Sequence, residues 1–230
     1  MTRPPTFPLS VILLLAASVG LGCTAASAEV EPTAPSTPAL ETDLPRLREL
    51  HRLRKWRELV DEFSSRDYAA ANLPADQAAE ALHLRGQAYY FLRDNARADA
   101  DLSRAATSTP ADPAVHLALA DNCSALPGAE PRALAAYRRV VQLTGRNAGW
   151  MSLTAAMRTA QLLIDAVRPG EALEELQACG DLQKLPDSWR IRLLRTYGHA
   201  YAAAGREAES LDSFRTALAL EEAQRKASQP

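Results

Sequence analysis

The residues able to do chemistry are few and scattered. There are four histidines, His51, His83, His116 and His199, and three cysteines, Cys23, Cys123 and Cys179. A tight group of carboxylates sits at Asp94, Asp99 and Asp101. No histidine falls in an HExxH pair, no serine in GxSxG, and no glycine-rich phosphate loop is present. The three aspartates come near the spacing of a calcium loop. They lack its turn glycine and its bidentate glutamate, so the wet face of a helix is the expectation for them. No CxxC or CxxCH occurs, which removes the short-spaced motifs of structural zinc and attached haem. Neither a metal nor another cofactor is expected, and the chain reads as non-enzymatic.

The elements that would position these residues are helices. Alanine, leucine, arginine and glutamate are abundant and β-branched residues are sparse after residue 30, a mix that loses little side-chain freedom in a helix. Hydrophobic residues make up 47% and the formal net charge is −2, so the chain has the means for a core and no electrostatic footprint for nucleic acid.

The N-terminus has a different composition. Arg3 precedes the apolar run LSVILLLAASVGLG, and small residues follow, in the order of a secretory signal over residues 1–28. The run is short for a membrane span; an uncleaved anchor helix is the alternative. Ala26-Ser27-Ala28 is an A-x-A cleavage site that would leave Glu29 first. Val19-Gly20-Leu21-Gly22-Cys23 resembles the lipobox of bacterial lipoproteins, in which the cysteine is acylated. Gly22 fits that pattern and Gly20 departs from it. Both readings place the protein outside the cytoplasm, in the envelope or periplasm of a bacterium, and the second makes Cys23 a lipid attachment site. Residues 29–43 carry prolines at 32, 35 and 38 and no apolar period, which predicts a disordered tether.

After the tether the chain repeats itself. Aligning Gly86 with Gly198 brings Tyr89 onto Tyr201, Leu102 onto Phe214 and Ala105 onto Ala217. This resembles the tetratricopeptide repeat (TPR), a helix–turn–helix unit of about 34 residues. The clearest copy is Ala79–Asp112, with Leu82, Gly86, Tyr89, Ala98, Leu102, Ala105 and Pro110 on the repeat's positions. Arg85 departs where the family prefers an apolar residue. A second copy runs from Pro113 to about Ala148, with an extra residue in its LPGAEP turn. A third, starting early near Trp150, has VRPG as its turn. The fourth is Ile191–Gln224. Residues 44–78 read as a degenerate first hairpin, residues 79–225 as TPR-like repeats and residues 226–230 as a disordered tail. The implied fold is an all-α, right-handed superhelical solenoid of about four to five units, because no unit can bury its apolar face alone.

The resemblance also implies a site. In this family ligands bind a concave groove through recurring positions on each first helix. Carried over, these are Glu80, His83, Gln87 and Tyr90; then Ala114, Leu117, Asp121 and Ser124; then Thr154, Met157, Gln161 and Ile164; then Arg192, Arg195, His199 and Ala202. The strongest candidates are His83, Gln87, Tyr90, Asp121, Gln161, Arg192, Arg195 and His199. The lysine–asparagine clamp by which chaperone-binding members grip a C-terminal carboxylate is missing. Cys123 and Cys179 fall on helices that are not neighbours in such a stack, so free buried thiols are expected.

Two surfaces remain. Arg46–Arg57 holds Arg46, Arg48, Arg52, Arg54, Lys55 and Arg57, a face for anionic lipid or an acidic partner, or simply a solvated one. Leu211 and Leu218 should lie on the open side of the last helix, where an uncapped apolar end invites a second copy. The expected function is a protein- or peptide-binding scaffold or assembly adaptor. The alternatives are a self-associating component and an accessory subunit of an envelope enzyme.

Overall fold

The computed structural model describes residues 44–64, 74–145 and 149–228. The leader, Cys23 and the tether lie outside them. The described residues form ten α-helices in five antiparallel hairpins: α1 Leu44–Arg52 with α2 Trp56–Ser64, α3 Ala75–Phe91 with α4 Asn95–Ser108, α5 Pro113–Ser124 with α6 Glu130–Thr144, α7 Trp150–Asp165 with α8 Pro169–Gln177, and α9 Asp187–Ala203 with α10 Glu207–Ala227. A 3-10 turn, Leu182–Lys184, links α8 to α9.

Local chemistry sets the helix ends. Asp94 caps α4 by accepting from the Arg97 amide at 3.2 Å, and Asp112 caps α5 through the Ala114 amide at 2.8 Å, with Pro113 in the first turn. Four of the five hairpin turns share one stop signal. Arg54, Arg93, Val167 and Gly205 all have positive φ. In each, the next amide donates back to a carbonyl five residues earlier, at 2.8–2.9 Å: Lys55 to Leu50, Asp94 to Tyr89, Arg168 to Leu163, Arg206 to Tyr201. This left-handed C-terminal turn satisfies carbonyls that the helix leaves open. The α5–α6 turn, with its inserted residue, uses Gly128 instead.

Each first helix packs on its own second helix and on the first helix of the next hairpin, so α1, α3, α5, α7 and α9 run in succession. This is the right-handed TPR-like solenoid. Gly86 and Gly198 mark two close crossings. A Cβ on Gly86 would lie 2.7 Å from Leu102 Cγ, and one on Gly198 would lie 2.6 Å from the Phe214 ring. The core continues through all five hairpins, from Leu47, Leu50 and Leu59 through Leu102, Tyr137, Leu163 and Leu176 to Leu193 and Ala217. Burial of these side chains between neighbours is the main stabilising term, since no single hairpin encloses them.

Three details differ from expectation. Helix α3 starts at Ala75, ahead of the repeat's register at Ala79, and α10 runs on to Ala227, into what was expected to be tail. The aspartates are not a wet face. Asp94 is a cap, Asp101 is 4% exposed and bound to Arg85, and Asp99 accepts both Arg132 Nη atoms at 2.9 and 3.1 Å, tying α4 to α6. Cys123 and Cys179 are both buried, with Cys123 Sγ 3.7 Å from Asp99 Oδ1 and Cys179 Sγ 3.6 Å from the Glu175 carbonyl.

Candidate partner-binding groove

The face lined by the first helices begins at the joint between α1 and α3. The Arg48 guanidinium meets the Glu80 carboxylate through two bonds at 2.5 and 2.7 Å. Beside it, His51 Nε2 hydrogen-bonds Gln87 Oε1, and the Gln87 amide nitrogen lies 2.8 Å from His83 Nε2. The amide donates there, so His83 Nε2 accepts and His83 is the neutral Nδ1–H tautomer, while His51 donates. Burial pushes the His83 pKa down, against the opposing pull of Asp112 and Glu80; His51 adds to the depression.

Between α3 and α5 the same face sinks into a cavity of about 90 Å³ lined by Gln87, Tyr90, Phe91, Leu102, Ala118 and Asp121. Asp121 projects from α5 and accepts the Tyr137 hydroxyl of α6 at 2.5 Å. Loss of water raises the Asp121 pKa, with Tyr137 and Arg158 of α7 pulling the other way. Burial likewise lifts the Tyr137 hydroxyl far above its ordinary value. The aromatic wall continues outward. Phe91 stacks on Trp56 with centroids 4.5 Å apart, and Tyr90 meets Phe91 edge-on at 5.3 Å.

Further along, Gln161 is exposed on α7 and donates to Asp165 at 2.8 Å. On α9, Arg192 lies 4.5 Å over the Trp189 ring, Arg195 pairs with Glu221 of α10 at 2.6 Å, and His199 meets the Phe214 ring edge-on at 5.1 Å. Glu221 therefore offsets half of the basic end expected at Arg192 and Arg195. Leu117 and Met157, groove positions by register, are each 8% exposed and belong to the core.

Of the strongest candidates, the structure joins His83 to Gln87 directly. It gathers Gln87, Tyr90 and Asp121 around one cavity, and it sets Gln161, Arg192, Arg195 and His199 on later helices with local partners of their own. Sequence reasoning missed Arg48 and His51. Their signal was present. Superposing the Leu53-Arg54-Lys55 turn on Leu92-Arg93-Asp94 puts Arg48 on Gln87 and His51 on Tyr90.

In the basic segment, Arg48, Arg52 and Lys55 pair with Glu80, Glu49 and Glu58, while Arg46, Arg54 and Arg57 are exposed without an ion pair among the described residues. Leu211 and Leu218 are 49% and 56% exposed on α10. A larger depression of about 270 Å³ lies between the second helices α6 and α8. Its charged lining, Arg138 and Glu175, is already paired at 3.0 Å. Among the described residues, no three histidines, cysteines or carboxylates converge as a metal site would require.

No protein-family model matches the chain, and no curated protein does. Solved structures do. The nearly identical TPR-like repeats of a Podosopora anserina protein align over 86% of this chain and 100% of theirs, with TM-score 0.69 and 17% identity. MamA aligns over 83% of this chain and 96% of its own, with TM-score 0.65 and 17% identity. YrrB, a TPR protein with an unusual peptide-binding site, aligns over 81% and 94%, with TM-score 0.60 and 16% identity. The chain thus has the fold of a TPR solenoid, similar to these proteins in architecture and distant from them in sequence.

Proposed function

We propose that the chain is a non-catalytic protein-binding scaffold, or assembly adaptor, that holds a peptide or a partner's segment along its first helices. The observation that carries this reading is the cavity where Gln87, Tyr90 and Asp121 come together from two successive hairpins on the face lined by first helices. It offers apolar walls, aromatic edges and polar groups for one side chain at a time. The peptide-binding site of YrrB, a protein of like fold, points the same way. Repeated shallow contacts suit a long, weakly held ligand more than a single reacting centre.

The cellular setting rests on the leader. The run ending at Cys23 supports export and lipid anchoring in a bacterial envelope, with residues 29–43 as the tether. Labelled palmitate incorporation that vanishes in Cys23→Ser is the expected result. An unlabelled wild type beginning at Glu29 would replace it with a soluble exported protein.

Site-specific photo-crosslinking in intact cells tests the groove. Crosslinkers at Gln161 and His199, both exposed on first helices, should capture the same partner. One at Arg104, exposed on the second helix α4, should not. Capture at Arg104 alone would move the site off this face.

The exposed Leu211 and Leu218 favour a second reading, a homodimer through α10. Light scattering should then show a dimer that Leu218→Asp dissociates, and a monomer at high concentration ends that reading.

A further inference from the structure

The cavity between α3 and α5 has one charged lining residue, and that residue lacks a full complement of partners. Asp121 Oδ1 accepts the Tyr137 hydroxyl. Asp121 Oδ2 makes no hydrogen bond among the described residues, and Asp121 lines the cavity. Arg158 of α7 acts on the carboxylate only through space. A carboxylate held partly out of water with no bonded cation favours a positively charged guest.

The rest of the wall agrees. Tyr90 and Phe91 stand beside the cavity, with Phe91 52% exposed, and aromatic rings attract cations through their quadrupole. Leu102 and Ala118 supply apolar surface for the methylenes beneath a charged head. Gln87 already spends one donor on His83 and one lone pair on His51, which fixes its amide against the cavity wall. The space of about 90 Å³ suits one side chain.

We infer that this cavity receives a basic side chain, lysine or arginine, of a peptide lying along the first helices, with Asp121 Oδ2 as its counter-ion. This rests on the reading of that face as a peptide-binding groove. The Asp121 carboxylate rejects an acidic residue at this position by charge.

The test uses the full-length protein and immobilised decapeptide pools, each with lysine, arginine, norleucine, alanine or glutamate fixed at one position and the others randomised. The wild type should retain lysine or arginine pools about tenfold over norleucine at one position, the scale of one charge-assisted hydrogen bond. Asp121→Asn, which still accepts the Tyr137 hydroxyl, should abolish that preference. Ala118→Met, which fills the cavity, should abolish it too. Circular dichroism melts check that each variant folds, and if Asp121→Asn does not, Ala118→Met decides alone. Equal retention of lysine and norleucine pools overturns the inference while leaving groove binding intact. So does a preference that survives Ala118→Met. Retention of no pool at all overturns the groove reading and the inference together.

Discussion

Arg85 and Asp101 form a two-bonded ion pair inside the second hairpin, with Nε and Nη2 at 2.6 and 2.7 Å from the two carboxylate oxygens. The pair occupies the place where the repeat uses an apolar residue, and the Arg85 guanidinium also lies 4.4 Å over the Phe63 ring of the first hairpin. Asp101 is almost wholly enclosed, with 6% of its side chain exposed. Removing Arg85 strands a buried charge, so Arg85→Leu should cost about 3–5 kcal/mol in urea unfolding. The double variant Arg85→Leu/Asp101→Ala should recover much of that loss. A purely additive result would mean the two side chains act independently.

The two crossing glycines should resist the smallest possible enlargement. Alanine gains roughly 1 kcal/mol of helix propensity over glycine. The added methyl group meets Leu102 at 2.7 Å or Phe214 at 2.6 Å. Overpacking of this kind costs about 1–3 kcal/mol, so Gly86→Ala and Gly198→Ala should both come out net destabilising by chemical denaturation.

Val167 predicts the opposite sign. It is 86% exposed and its φ is 59°, a left-handed conformation that a β-branched residue adopts only under strain. The equivalent turn of the last hairpin uses Gly205. Val167→Gly loses no burial and relieves a strain of roughly 1–2 kcal/mol, set against a smaller gain in unfolded-state entropy. The melting temperature should rise.

His83 makes stability depend on pH. Its folded pKa lies below its unfolded value because burial disfavours the charged ring. The unfolded chain therefore binds more protons in the window between the two values, and stability rises with pH there. The contribution is full above the unfolded value of about 6.5 and is lost as pH falls through the folded one. Urea midpoints measured from pH 7 downward should fall, and His83→Asn should flatten that first part of the profile.

Much of the solenoid was legible in the chain because repeats leave a period. Gly86 and Gly198, Leu102 and Phe214, and the capping pair Asp112-Pro113 stand at positions where helix crossing or helix termination leaves few alternatives. The turn at Arg54, Arg93 and Val167 was harder to see. Only Gly205 carries the residue that its backbone conformation favours, and the others meet the same hydrogen-bond pattern under strain. The candidate site was legible only as a face. Register placed Gln87, Tyr90 and Asp121 on it, and also Leu117 and Met157, which the core absorbs.

The amino-acid sequence by itself determined the helical hairpins, their order and the small residues at their crossings, because these follow from local propensity and a period that each unit repeats. The tertiary structure decided what each polar side chain does. Asp94, Asp99 and Asp101 look alike along the chain, yet one caps a helix, one bridges hairpins and one is sealed against Arg85. His83 is held neutral by burial, with the Gln87 amide one turn along donating to its Nε2 and His51 of the neighbouring hairpin bound to the other end of that amide. Asp121 opens into a cavity because α3 and α5 meet there. Those outcomes depend on distances between residues far apart in sequence, and only packing brings such residues within hydrogen-bonding reach.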